Sequence, residues 1–117
     1  MALLDELKDM GVNVREGMDR VMGDESLYTM MLGMFLTEVT NLAVLPEEFD
    51  GGDIDGVIRK VHTLKGTTGN LSITPLFNGY METLTLLRAN KPGEAKKTFC
   101  AMLPTQEKII DCIQRYQ

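Results

Sequence analysis

The 117-residue sequence contains no tryptophan, one histidine and two cysteines, and aromatic residues make up only 6% of it. Nine methionines and many leucines supply the apolar content, which favours helices with an adaptable core over a β-sandwich. An oxidation-sensitive docking patch is the alternative role for the methionines. No apolar run approaches the ~20 residues that a membrane-spanning helix needs. The acidic N-terminal segment also lacks the basic start and apolar core of a signal peptide. We therefore expect a cytoplasmic protein with a single domain over residues 1–117, without a membrane partner.

Charge is unevenly distributed along the chain. Residues 1–58 hold 13 acidic and 3 basic side chains, a net charge of −10, whereas residues 59–117 hold 4 acidic and 9 basic ones, a net charge of +5. The overall charge of −5 disfavours the phosphate backbone of a nucleic acid as a partner. A helical bundle that pairs acidic helices with basic ones would show the same imbalance.

The two cysteines and the single histidine make a poor set of metal ligands. Cys100 and Cys112 fall in one predicted helix, whose rise separates them by about 18 Å, too far for a disulfide. We expect both thiols to be reduced, as is usual in cytosolic proteins. The sequence therefore predicts neither a metal nor another cofactor in this chain.

Helical periodicity recurs along the chain, and no segment shows the sustained alternation typical of strands. Two short helices are predicted first, within residues 1–14 and 15–23, with Gly11 and Gly23 as their stops. Four longer helices follow. The first is predicted to begin at the N-cap Asp24, to bend at Pro46 and to end at Gly51–Gly52. The second and third are predicted to begin at the N-caps Asp53 and Thr74, and the fourth to begin at Pro92 and kink at Pro104. Because the connections are short, sequential helices should be antiparallel neighbours. The expected fold is all-α: an up-and-down antiparallel four-helix bundle with a short N-terminal helical extension.

The only histidine, His62, lies in the predicted second long helix, within the stretch HTLKGTTGN. At about 100° per residue, the predicted core face is centred about 130° from His62. That core face consists of Val57, Val61, Leu64, Thr68 and Leu71. The side of the helix that carries His62 consists of Asp55, Arg59, Lys65, Gly66 and Gly69. His62 is therefore predicted to face water rather than the core.

Gly66 and Gly69 on one side of a helix need an explanation, because each costs roughly 1 kcal/mol relative to alanine. They would leave a strip of backbone free of side chains beside the imidazole, which a partner could approach closely; close helix packing is the alternative. A neutral imidazole is a good nucleophile at neutral pH. If the electrophile is a phosphoryl group, Lys65 and, more weakly, Arg59 could stabilise its oxygens. Exposure suits a nucleophile that serves docking proteins.

At residues 62–66, His-Thr-Leu-Lys-Gly, the sequence resembles the histidine-containing phosphotransfer (HPt) domains of phosphorelays. The family pattern is His, any residue, Leu, Lys and Gly on the second helix of a four-helix bundle. The resemblance extends over nearly the whole chain, with Phe35 in the preceding helix and Met81-Glu82 where members carry Leu-Glu. The sequence departs from the family pattern at Thr68 and Ser72.

Family members usually have alanine and glycine where this sequence has Thr68 and Ser72. Both residues are small, so tight packing at these positions is still expected. The departures leave the histidine motif itself unchanged.

The resemblance implies a phosphocarrier rather than an enzyme. His62 would accept a phosphoryl group from a receiver-domain aspartate and pass it to another, Lys65 would contact the phosphoryl oxygens, and Gly66 would let the receiver approach. The partner would also cover Asp55, Ile58, Arg59 and Gly69. The implied partners are response-regulator receiver domains and a hybrid sensor kinase, and the Mg²⁺ needed for transfer would belong to the receiver. A monomer is expected, and no glycine-rich loop for ATP is present.

Other classes of protein remain as alternatives. The phosphoacceptor helix pair of a sensor kinase has an acid after its histidine and a proline soon after, whereas Thr63 follows His62 and the next proline is Pro75. The N-terminal phosphoacceptor domain of a chemotaxis-type kinase has the same fold and a similar motif, but receives its phosphoryl group from ATP. A non-phosphorylated adaptor would keep the bundle and dock receivers without chemistry. A bundle metalloenzyme would need several inward ligands, whereas His62 is predicted to face outward.

Overall fold

The structure, a computed structural model, describes residues 2–117 and is all-helical over that range, as the sequence predicts. Its elements are α1 (Ala2–Asp9), α2 (Val14–Arg20), α3 (Glu25–Leu42), a 3₁₀ turn (Pro46–Asp50), α4 (Ile54–Asn70), α5 (Thr74–Arg88) and α6 (Pro92–Arg115). Two short helices thus precede four longer ones. Helix α5 packs on both α4 and α6, and α3 contacts the same two helices. No helix in residues 2–117 is long and apolar enough to cross a membrane.

Aspartates begin two of the long helices, as predicted. The side chain of Asp24 accepts a hydrogen bond from the backbone N–H of Leu27, and that of Asp53 accepts one from Gly56, each at 3.0 Å. The first N–H groups of a helix have no partner within the helix, so such caps stabilise its start by about 1 kcal/mol. The cap at Asp53 fixes where α4, the helix of His62, begins.

Three boundaries differ from the predictions. Helix α3 ends at Leu42, before Pro46, because the next residue, Ala43, takes a left-handed conformation with φ of 46°. Pro46 opens the 3₁₀ turn instead of bending α3. Ile73, not Thr74, is the N-cap residue of α5, which has no side-chain cap. Proline within the first turn suits this helix start because it has no N–H to satisfy.

Helix α6 contains Pro104 in its interior and continues to Arg115. Both of its cysteines are free thiols, as expected from their spacing, with Cys100 exposed and Cys112 buried. Burial raises the pKa of the Cys112 thiol. Cys112 therefore belongs to the packed interior of the helix.

The buried face of α4 is the one that the helical projection predicts. None of its five residues is more than 2% exposed: Val57, Val61, Leu64, Thr68 and Leu71. They pack in one core with fully buried aromatic side chains from the other long helices, among them Phe35 of α3 and Tyr80 of α5. Because one face of α4 is fixed in this core, the opposite face must point outward.

The C-terminal end of α4 is held by α2 and α3. The hydroxyl of Tyr28 donates a 2.7 Å hydrogen bond to the carbonyl of Leu71, and burial raises the tyrosine pKa to about 12. Helix α2 passes this point at Gly17, where an added Cβ would lie 2.6 Å from the Tyr28 ring and 2.8 Å from the Leu71 oxygen. Glycine is therefore needed at position 17 for the close approach.

Candidate functional site

His62 is exposed on the outward face of α4, as predicted. Within residues 2–117 its imidazole has no hydrogen-bond or ion-pair partner. A neutral imidazole has one nitrogen that carries a lone pair and is not protonated. Because no protein group occupies that nitrogen, it is open to an electrophile from solvent or from a docked partner.

The two glycines near His62 differ in their surroundings. Gly66 is exposed, and a Cβ added there would meet no heavy atom within 4 Å. Gly69 is half-buried, and its added Cβ would lie 3.0 Å from two ring atoms of Phe77 on α5. The prediction of an open backbone strip therefore holds at Gly66 and is corrected at Gly69, which makes room for a neighbouring helix.

Two cations lie three residues before and after His62. Arg59 is exposed and Lys65 is half-buried, and neither forms an ion pair within the part of the chain that the structure describes. Lys60, next to Arg59 in sequence but turned toward the 3₁₀ turn, is instead paired with Glu48 at 2.8 Å. Neither of the positive charges that flank the imidazole is thus tied up in an ion pair among the described residues, so both are available to an anionic group at this face.

The remaining predicted residues extend this face toward the start of α4. Asp55 is exposed, whereas Ile58 is half-buried and packs against the core, so only part of its side chain is open to a partner. The hydroxyl of Thr63 donates to the carbonyl of Arg59 at 3.0 Å and so turns back onto the helix beside His62. The outward face therefore combines an imidazole, two cations, one carboxylate and an open glycine.

Residues of α3 border this face, and the sequence reasoning did not include them. A cavity of about 230 Å³ lies between α3 and α4. Its lining consists of Met31, Met34, Phe35, Glu38, Thr67, Asn70 and Leu71. Glu38 accepts a hydrogen bond from Thr67 across the gap. The sequence signal that could have indicated this border is the methionine spacing at positions 30, 31 and 34; as a group, the methionines were predicted to pack in the core, with a docking patch as the alternative.

The two departures from the HPt pattern both have satisfied hydroxyl groups. Thr68, fully buried, donates to two carbonyls of the preceding turn, at 2.8 and 3.2 Å. Ser72 donates to Glu16 of α2 at 2.6 Å and accepts a hydrogen bond from Arg20. The hydrogen bond from Ser72, with a further contribution from Arg20, lowers the pKa of Glu16. Ser72 therefore ties α2 to the end of α4.

Within residues 2–117, no group of three or more histidine, cysteine, aspartate or glutamate side chains is placed to hold a metal ion. Glu38, the acid nearest to the face of His62 on α3, is already engaged by Thr67. Comparison of the chain with protein-family models, with curated proteins and with solved structures finds no match.

Proposed function

We propose that this protein is a phosphocarrier of the HPt class, in which α3 to α6 form an up-and-down four-helix bundle and His62 carries the phosphoryl group. The observation that carries the proposal is the exposed imidazole of His62, between two cations; among residues 2–117, neither the imidazole nor the cations have a hydrogen-bond or ion-pair partner. An open glycine, Gly66, lies one turn away. The resemblance of residues 62–66 to the HPt motif gives the same assignment.

The chemistry is a pair of reversible phosphoryl transfers. The unprotonated nitrogen of His62, Nε2, attacks the phosphorus of an aspartyl phosphate on a receiver domain. The N–P bond forms as the P–O bond to the aspartate breaks, and the aspartate leaves as a carboxylate. A second receiver aspartate then takes the group by the reverse reaction, which regenerates the neutral imidazole. The chain acts as a carrier between two proteins rather than as an enzyme.

The neighbouring residues have separate roles in this proposal. Lys65, half-buried beside the imidazole, compensates the charge on the phosphoryl oxygens, which is the main form of assistance in phosphoryl transfer. Gly66 leaves space for the active-site edge of the receiver. Arg59, Asp55 and the open part of Ile58 contact the partner at the start of α4, and Gly69 acts through the position of Phe77. The receiver supplies the Mg²⁺.

The partners in this proposal are receiver domains, including that of a hybrid sensor kinase, and the carrier itself is a cytoplasmic monomer. A monomer can carry the group because His62 and its neighbours all belong to one helix. A phosphoacceptor domain of a chemotaxis-type kinase would use the same histidine but would take its phosphoryl group from ATP.

The test is intact-mass spectrometry after incubation with a phosphorylated receiver and Mg²⁺, with the variant His62→Gln in parallel. We expect a gain of one phosphoryl group that is labile in acid, stable in base and absent in the variant. A parallel incubation with a kinase domain and ATP, without receiver, distinguishes the chemotaxis-type donor. Receivers that bind without any gain of mass would overturn the carrier in favour of an adaptor.

A further inference from the structure

Helix α3 exposes an apolar stripe beside the helix of His62. Leu27, Met30 and Met34 are 37%, 57% and 62% exposed. Spacings of three and four residues place them on one face of α3, about 10 Å long. The opposite face of α3 is buried in the core through Tyr28, Leu32 and Phe35. No helix covers the apolar stripe (Leu27, Met30 and Met34) within residues 2–117, although Tyr116 and Gln117 line one cavity together with Met30 and Met34.

The apolar stripe borders the helix of His62 at one of its residues, Met34. Met34 lines the cavity between α3 and α4 together with Thr67 and Asn70, and Asn70 lies one turn beyond Gly66. A partner that presents an anionic phosphoryl group to His62 matches Arg59 and Lys65, which form no ion pair within the described part of the chain. A receiver domain large enough to cover His62 would extend over the α3–α4 border and onto the apolar stripe. The cations beside His62 and the position of Met34 at the border with α4 therefore both indicate that a receiver domain covers the apolar stripe.

Methionine gives this surface a chemistry that leucine would not. A hydroperoxide oxidises a thioether when sulfur attacks one peroxide oxygen and the O–O bond breaks. With hydrogen peroxide, sulfur gains one oxygen and loses two electrons, and the peroxide is reduced to water. The product, methionine sulfoxide, is polar where the thioether was apolar, and reductases can reverse the change. A sulfoxide buried in an apolar contact with the receiver would lose the hydrogen bonds that its oxygen accepts from water.

We propose that Met30 and Met34 are modification sites, whose oxidation to sulfoxides by a hydroperoxide weakens docking of the receiver and slows transfer through His62. This inference rests on the proposed carrier function. Accessibility favours these two thioethers, because Met81 is less exposed, at 43%, Met10, Met18 and Met31 are half-buried, and Met102 is buried. Met22 is 95% exposed but lies in the turn before α3 and lines neither of the two cavities that Met34 lines, and so offers a matched control.

The experiment compares the wild-type chain, the double variant Met30→Leu/Met34→Leu and the control Met22→Leu. Leucine conserves volume and apolarity but has no sulfur to oxidise. Each protein is treated with hydrogen peroxide, freed of it by catalase and reduced with a thiol to restore Cys100. Peptide mass spectrometry then locates the sulfoxides, circular dichroism checks the helices, and the rate of transfer from a phosphorylated receiver is measured.

We expect oxidation to slow transfer about tenfold in the wild type and in Met22→Leu, and to leave Met30→Leu/Met34→Leu at its untreated rate. Methionine sulfoxide reductase should restore the wild-type rate. Equal slowing in the double variant, or none in the wild type, would overturn the proposal and leave the carrier function intact. Untreated protein that accepts no phosphoryl group would instead overturn the carrier function and this proposal together.

Discussion

Gly69 of α4 lies directly against the ring of Phe77 on α5, so close that an added Cβ would stand 3.0 Å from two ring atoms. Gly66, one turn earlier, faces open space. The two positions beside His62 are therefore glycine for different structural reasons, although they lie on the same side of the helix. Gly69 allows α4 and α5 to approach each other closely. Gly66 leaves the backbone of α4 accessible, although no packing contact within the described part of the protein requires a glycine there.

The matched substitutions Gly66→Leu and Gly69→Leu should separate these causes. Gly66→Leu should keep or raise the free energy of unfolding, by up to about 0.8 kcal/mol, because leucine is the better helix former. Gly69→Leu should lower it by about 1–3 kcal/mol, since the side chain must displace Phe77. Urea unfolding measures both. If the carrier proposal holds, Gly66→Leu should slow phosphoryl transfer although the protein stays folded, and Gly69→Leu should not. Equal destabilisation by the two substitutions would contradict the different roles of the two glycines.

The sequence was sufficient for features that obey local rules. The aspartate caps and the buried side of α4 were predictable because capping and helical phase depend on residues within one or two turns. The contact of Gly69 with Phe77 was not, because two explanations for a helical glycine remained until the second helix was placed. The end of α3 at Ala43 was also missed, since nothing local marks an alanine for a left-handed conformation.

The side of α3 that borders α4 could not be assigned from the sequence either. Methionines at positions 30 and 34 fit both a core and a surface, and only the placement of α3 shows that they are exposed. Likewise, Glu16 and Ser72 are 56 residues apart in sequence, so their hydrogen bond has no local signature. What the sequence did supply was the exposed histidine and the two cations beside it.

Lys65→Ala should lower the rate of phosphoryl transfer about tenfold or more, because the lysine compensates charge that develops on the phosphoryl oxygens. Its effect on stability should stay within about 0.5 kcal/mol, since Lys65 forms no ion pair among the described residues. The exposed Lys97 on α6 provides the control, and Lys97→Ala should change neither quantity. Single-turnover transfer from a phosphorylated receiver measures the rate. Equal rates for the two variants would remove Lys65 from the site.

Gly17→Ala should lower the free energy of unfolding by about 2 kcal/mol or more, because the new methyl group would collide with Tyr28 and with the carbonyl of Leu71. The hydrogen bond from the Tyr28 hydroxyl to the Leu71 carbonyl should be the contact that the substitution weakens most. Gly93→Ala is the matched control, since an added Cβ there meets no atom within 4 Å. Urea unfolding of both variants tests this, and an unchanged midpoint for Gly17→Ala would show that α2 can move away without cost.

The hydrogen bond from Ser72 to Glu16 predicts a pH-dependent contribution to stability. Together with Arg20, it holds the pKa of Glu16 below the usual 4.5. A carboxyl whose pKa is lower in the folded state stabilises the fold above its unfolded pKa, and this contribution is lost as the pH falls through the folded pKa. Ser72→Ala should therefore destabilise the protein most near pH 7, and the loss should shrink below pH 4.5.

Urea unfolding of the wild type and of Ser72→Ala at several pH values between 7 and 3 measures this difference. Glu6 and Glu48 also have lowered pKa values, so both proteins should lose stability in acid, and only the difference between them reports on Glu16. In a Glu16→Gln background the titrating carboxyl is absent, and the effect of Ser72→Ala should no longer depend on pH. A difference that stays constant from pH 7 to pH 3 in the wild-type background would assign the role of Ser72 to packing rather than to the charge of Glu16.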